Sequence, residues 1–504
     1  MTKANGACAE RPFSTCAIDA CGGRAVCSPR GCAAVTRSSF RIALALLALL
    51  LHGVRLADAT PVAASAPARL PGEADVIEKT LANGMKIIVW PDHDIPNVVL
   101  YNWVHVGSRN ERQGITGLSH FFEHMMFNGT STRAPGEFDR LMEAAGGSNN
   151  AFTSEDMTVY QDWFPRSALE LIFDLESDRL RNLAFDPQVI ESERGVVSSE
   201  RRSSIDNDTS GSLAEQMQAT AFVAHSYQFP VLGWPSDIEA WTLDDLESYF
   251  RTYYAPNNCT LVIVGDVRPE EIFALAEKWL GPIPSQPAPP LLRTVEPAQQ
   301  GERRVTLVRP AQTPLLYFAY KSPTAADPSG PALDMLLDVL IGGEYARLHR
   351  LLVEDTQVAI SVDGFRQQGL DPGLTWLQIA LPAGGDAARV ERMLDDALAK
   401  VAREGVTDAE IARAKHIVTA AFVRGLATID GKASALGSFE VLHGDYHTLF
   451  AAPAAYDAVT PDDIKRVAAS VFNPARRTVG VLVPQKDGDE AQESDEAQEG
   501  GDAP

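Results

Sequence analysis

The segment Thr242-Leu243-Asp244-Asp245-Leu246, followed by Tyr254-Ala255-Pro256 and Thr260-Leu261-Val262, returns later in the chain as Thr460-Pro461-Asp462-Asp463-Ile464, Phe472-Asn473-Pro474 and Thr478-Val479-Gly480. The offset is 218 residues throughout, without a gap. Solenoid repeats run to roughly 20–50 residues, so a period of this size is a whole domain, and the chain must fold as two copies of one unit. Its 504 residues leave room for both copies and for further segments at the ends. Between the copies, Pro282-Ile283-Pro284-Ser285-Gln286-Pro287-Ala288-Pro289-Pro290 reads as a stiff, extended linker.

Within the first copy, Asn83-Gly84 precedes the apolar residues 85–90, and a second apolar run covers 98–106 after Ile95-Pro96. These read as antiparallel strands of a half-buried sheet. Helical patterns follow at 136–145, 167–182 and 187–202. Strands and helices mix without regular alternation, which predicts an α+β class built from mostly antiparallel sheets packed with helices. The expected boundaries are an extension plus export signal over 1–59, a linker over 60–75, a first domain over 76–284, a Pro-rich linker over 285–302, a second domain over 303–484 and an acidic tail over 485–504.

The pentad His120-Phe121-Phe122-Glu123-His124 carries the chemistry. At roughly 100° per residue on a helix, His120, Glu123 and His124 share one edge, while Phe121, Phe122, Met125 and Met126 fall on the other side. One face is therefore core. The other offers two imidazoles at i, i+4 for a borderline-soft divalent ion and a carboxylate able to take a proton from an attacking water. The pattern H-x-x-E-H is the inverse of the H-E-x-x-H found in many zinc peptidases. In the second copy, an offset of 214 puts Asp334, Leu337 and Asp338 in place of His120, Glu123 and His124. The ligand set is thus confined to copy one. A catalytic zinc takes three protein ligands and leaves one position open. The segment from Glu191 to Glu200 is the natural donor, but composition does not choose among Glu191, Glu193 and Glu200; Glu193 and Glu200, seven apart, share a face.

The net charge of −23 excludes nucleic acid as a partner. An acidic surface favours basic peptides, and simple solubility explains the charge equally well. Arg37 and Arg41 precede an apolar run over 42–51, and Ala57-Asp58-Ala59 follows as a small-x-small cleavage pattern. The run is short for a membrane span, so export to the periplasm or medium with cleavage near Ala59 is expected, leaving no stable span; an uncleaved anchor is the alternative. Cys8, Cys16, Cys21, Cys27 and Cys32 all precede this signal, which leaves Cys259 alone afterwards and no disulfide to be made. Residues 1 to about 34 read as an extension from a start placed too far upstream. The tail, with eight acids from Gln485 onward, has the composition of a disordered segment.

Several separate segments resemble the pitrilysin/insulinase family of zinc peptidases, especially its short bacterial members and the mitochondrial processing peptidase β subunit. They are Gly107-Ser108-Arg109-Asn110-Glu111, the pentad, Asn150-Ala151-Phe152-Thr153, the stretch from Glu193 to Glu200, and Tyr254-Ala255-Pro256-Asn257-Asn258. The resemblance spans about residues 76–484. It implies one Zn²⁺ per chain held by His120, His124 and Glu200, with Glu123 as general base and Glu193 as a supporting carboxylate. It implies two homologous domains forming half of a clamshell, with peptide substrates added as a strand near Asn150 and Ala151 and with Phe152 walling the site; core packing is the other reading of Phe152. Complete sites of the family also take an Arg and a Tyr, seven apart, from the opposing half, and the corresponding positions here are Val353 and Ile360. The resemblance therefore implies a heterodimer with a homologous subunit that supplies this pair. Two rival expectations share the fold: a scaffold that does no catalysis, and a peptidase dedicated to presequences.

Overall fold

The structure, a computed structural model, describes Leu70 and residues 72–485. The expected export signal, its cleavage point and all but the first residue of the acidic tail lie outside the described residues. Among the described residues no helix is long and apolar enough to cross a membrane.

Runs rich in β-branched and aromatic residues form two sheets. The first holds β1 (Ile77–Thr80), β2 (Lys86–Pro91), β3 (Asn97–Val104), β4 (Ser148–Thr153), β5 (Thr158–Pro165) and β6 (Cys259–Gly265), in the order β1-β2-β6-β3-β5-β4. The second holds β7 (Arg303–Arg309), β8 (Leu315–Lys321), β9 (Ser361–Arg366), β10 (Leu374–Ala380) and β11 (Arg477–Pro484), in the order β7-β11-β8-β10-β9. Apart from β1 the two orders match strand for strand, with β2, β6, β3, β5 and β4 answered by β7, β11, β8, β10 and β9. In each sheet one pair is parallel, β2 with β6 and β7 with β11; every other pairing is antiparallel. The repeated Thr-x-x-Asp becomes the same object twice: Thr242 with Asp245, and Thr460 with Asp463, close capping boxes on the helices Leu243–Tyr253 and Pro461–Val471. The fold is the expected α+β duplication.

Residues 85–90 and 98–106 supply β2 and β3, which run antiparallel in one sheet as expected, with β6 lying between them. One expectation needs correction: the centre of the sheet is not half-buried, since β3 is buried from Val98 to Val104 without alternation. The reason is a helix that local sequence did not announce.

That helix, Ile429–His443, comes from the second half of the chain and lies on the first sheet, against the face opposite the pentad. Ala433 and Leu436 are fully buried there with Val99, Tyr101, Trp103 and Val262. The converse is also present. The helix Thr209–Ala221, from the first half, covers the second sheet with Leu213 and Met217 against Tyr317, Trp376 and Leu482. Each copy thus lends the other a helix. Both contacts are closest at a glycine: a Cβ on Gly437 would stand 1.9 Å from Cε2 of the rigid Trp103 indole, and one on Gly480 would stand 2.2 Å from Sδ of the more yielding Met217. Gly437→Val is expected to lower the unfolding free energy by about 1–3 kcal/mol, because the helix cannot be lifted off Trp103 without opening an apolar layer. A urea midpoint within error of the parent would refute this account of the interface.

Candidate metal centre

Apolar residues decide where the pentad helix goes. Leu118–Met125 buries Leu118, Phe121, Phe122 and Met125 in the first core, so His120, Glu123 and His124 are turned to its margin. Around this helix the fold places fixed polar partners. Glu111, itself buried, accepts from the backbone N–H groups of Gly117 and Ser119, both at 2.7 Å, and so caps the amino end; burial pushes its carboxyl up to about 8. Ser119 shares a hydrogen bond of 2.6 Å with Tyr249, and the Tyr160 hydroxyl donates to the Phe122 carbonyl at 3.0 Å.

The helix Pro187–Arg201 begins with a Pro at its first turn and an Asp186 cap on Gln188 N, and presents Glu193 and Glu200 to the pentad. Glu200 Oε2 lies 3.6 Å from His120 Nε2 and 3.4 Å from His124 Nε2. The ligand-type atoms of His120, His124 and Glu200 all fall within 4.8 Å of one another, and they form the one such group found among the described residues. Bonds of about 2.0–2.1 Å from a tetrahedral zinc would space its ligand atoms about 3.4 Å apart, so the donor set and its spacing fit that ion. Glu193 stands behind: His124 Nδ1 donates to its Oε1 at 2.7 Å, and Asn128 Nδ2 donates to its Oε2 at 2.9 Å. A carboxylate on the outer nitrogen fixes the imidazole orientation and leaves Nε2 for a metal. Glu191, the third acid that composition left open, instead receives Arg194 Nε at 3.2 Å on the exposed side.

Burial works against charge on His124, yet Glu193 and Glu200 overcome it and push the imidazole up to about 9. The two histidines hold the Glu200 carboxyl well below the usual carboxylate range, and His124 lowers that of Glu193. The folded pKa of His124 is thus raised above its ordinary value near 6.5. Its charge stabilises the metal-free form fully below about pH 6.5, and that contribution is lost as pH rises through about 9. A cation must displace this proton. Zinc affinity is therefore expected to strengthen about tenfold per pH unit between roughly pH 7 and 9 from His124 alone, with one proton released per ion. Competition against a calibrated chelator across that range checks it; a flat profile would contradict it.

Glu123 sits beside the cluster, and Thr153 Oγ1 donates to its Oε2 at 2.6 Å. Thr153 ends β4, the last strand in the order of the first sheet. Side chains alternate along a strand, so Ala151 shares the pentad face with Thr153, and Asn150 and Phe152 face the other way. Ala151 is accordingly buried in the core beneath the pentad, whereas the Phe152 ring meets Trp103 edge-on at 6.2 Å in the layer under Ile429–His443. Of the two expectations for Phe152, this contact with Trp103 is the kind that core packing describes. Sequence reasoning also missed the part played by Asn128, and Glu111 was quoted without a role.

In the second copy the corresponding helix, Gly330–Ile341, carries a different arrangement. Asp334, at the position of His120, receives Arg366 Nε at 2.8 Å and the Tyr456 hydroxyl at 2.8 Å. Asp334 is thus engaged by a guanidinium of its own copy. Burial and the nearby Asp334 push Asp338 up to about 6. Of the positions expected to have lost an Arg and a Tyr, Val353 packs against the second core and Ile360 is 56% exposed. His443 and His447 do not form a site: Gly444 turns the chain between them with a φ of 72°, and His447 Nδ1 lies 3.3 Å from Glu73.

Two paired sheets joined by exchanged helices, with two histidines and a glutamate converging beside a further glutamate, define the class as one built like the inverse-motif zinc peptidases. Comparison with known proteins agrees. Residues 91–233 match the family model described as Insulinase (Peptidase family M16), and residues 240–418 match the one described as Peptidase M16 inactive domain. An uncharacterized zinc protease of Mycobacterium bovis is 30% identical over 422 residues, which are 83% of this chain and 94% of that one. A protease from Helicobacter pylori, known as a crystal structure, superposes with a TM-score of 0.78 at 27% identity, covering 81% of this chain and 99% of that one. The periplasmic protease PqqL from Escherichia coli shares the fold, with a TM-score of 0.69 and 19% identity over 87% of this chain, but only 52% of that longer chain is covered. The chain belongs to the peptidase M16, or insulinase, family.

Proposed function

We propose that this chain is a zinc metallo-endopeptidase that hydrolyses oligopeptides or unfolded segments, and that it is the catalytic member of a heterodimer with a homologous subunit. The observation that carries the reading is the convergence of His120, His124 and Glu200, all within 4.8 Å, next to a Glu123 that is not part of the ligand set. Zinc bound there would polarise a scissile carbonyl and acidify water. Glu123, beside this set, would accept the proton of the attacking water and pass it to the leaving amine. Glu193 holds His124 in register through Nδ1. β4, as the terminal strand, offers the backbone of Asn150 and Ala151 for addition of a substrate strand, which gives affinity with little dependence on sequence.

The heterodimer is supported by Val353 and Ile360 at the positions where the family resemblance expects Arg and Tyr, and by a fold-mate whose single chain is nearly twice as long as the part matched here. Export is supported by the basic residues and apolar run ahead of Ala59. A peptide digest by the purified chain, with and without the companion subunit, tests the reading. Cleavage abolished by a chelator and restored by zinc is expected only when both subunits are present. Equal activity of the rigorously purified chain alone would remove the heterodimer. Failure to bind zinc at all would leave the scaffold reading.

A further inference from the structure

We infer that Thr153 is a positioning residue for Glu123, tying the orientation of the base to the strand on which substrate would be laid; this rests on the peptidase reading above. The Thr153 hydroxyl donates to Glu123 Oε2 at 2.6 Å, while Glu123 Oε1 makes no hydrogen bond to the protein among the described residues. A carboxylate at the end of a Glu side chain turns about a broad, soft torsion. Holding one oxygen fixes the plane of the group and leaves the other to face the reacting centre.

Thr153 is itself held firmly. It pairs with Thr158 at the closed end of the β4–β5 hairpin, and Ser154 N donates to Met157 O at 2.8 Å across the turn. The turn is then anchored on both halves of the chain. Asp156 accepts from the Tyr227 hydroxyl at 2.8 Å and from Leu370 N at 3.1 Å, and lies 3.2 Å from Arg109 Nε; Arg109 also pairs with Asp371. The position of the base is thereby set by β4 and not by the pentad helix alone. A displacement of β4 by a fraction of an ångström is transmitted to Glu123 through one short bond. An ordinary strand-end threonine that merely satisfies its hydroxyl would have no such consequence.

The test compares Thr153→Val, which keeps shape and loses the hydroxyl, with Thr153→Ser, which keeps the hydroxyl. Each is assayed as the zinc-loaded chain with its companion on an oligopeptide, and each is crystallised. For Thr153→Val, kcat is expected to fall about tenfold to a hundredfold with KM, zinc content and melting temperature unchanged, and the Glu123 carboxylate to leave its present orientation. Thr153→Ser should restore kcat to within about threefold. Undiminished kcat in Thr153→Val, or a loss that runs through KM or zinc content and that Ser does not rescue, would overturn the inference. Should the parent protein prove inactive, the peptidase reading falls on that result, and the crystal structures still decide this one: Glu123 unmoved in Thr153→Val refutes it.

Discussion

Glu123→Gln is expected to lower turnover by about a hundredfold to ten-thousandfold, the range that a positioned general base supplies, while zinc binds as in the parent. The two parts of the expectation separate for a geometric reason. Glu123 lies on the pentad edge, but the ligand-type atoms that converge belong to His120, His124 and Glu200. Glutamine preserves length and can still accept from Thr153 Oγ1, so the fold around β4 should survive. What it lacks is a lone pair basic enough to take a proton. Turnover measured with metal content on the same sample decides the matter; a fully active variant would remove Glu123 from the base role.

Glu200→Gln should produce the opposite separation, with zinc lost first and activity lost as its consequence. Glu200 Oε2 stands 3.6 and 3.4 Å from the two Nε2 atoms and, among the described residues, is the carboxylate that completes the set, since Glu193 is engaged by His124 Nδ1 and Asn128. A neutral amide oxygen is a far weaker ligand for a doubly charged ion than a carboxylate. Zinc affinity is expected to fall at least about a hundredfold, measured by chelator competition. Glu193→Gln should fall between the parent and Glu200→Gln, because it loosens the orientation of His124 without removing a donor. Equal zinc affinity in Glu200→Gln and parent would mean that the ion, if bound, sits elsewhere.

The pentad was legible because its chemistry is local. Helix periodicity alone puts His120, Glu123 and His124 on one edge, and the structure keeps them there. Glu200 was legible only in part: a seven-residue step on a helix shows that Glu193 and Glu200 share a face, but which one reaches the imidazoles depends on how two helices cross, and a pattern along one helix does not contain that angle. The duplication was readable from Thr242 and Thr460 because capping boxes are written in adjacent residues. The exchange of helices was not. Residues 429–443 have a weakly polarised surface, buried at Ala433, Leu436, Gly437 and Val441, and nothing nearby in the chain says that their partner is Trp103 more than 300 positions earlier. The same gap explains why the central strands, expected to be half-buried, are covered on both faces.

Reciprocal roofing ties the fates of the two copies. The second has an Asp–Arg pair where the first has histidines, so it is free of any demand from metal chemistry, yet it cannot be discarded: removing it would bare the sheet that carries β4 and, through Thr153, unsettle Glu123. A shortened gene encoding the first copy alone would therefore be expected to make an aggregating product, and fragments cut at the Pro-rich stretch should regain a soluble form only when produced together.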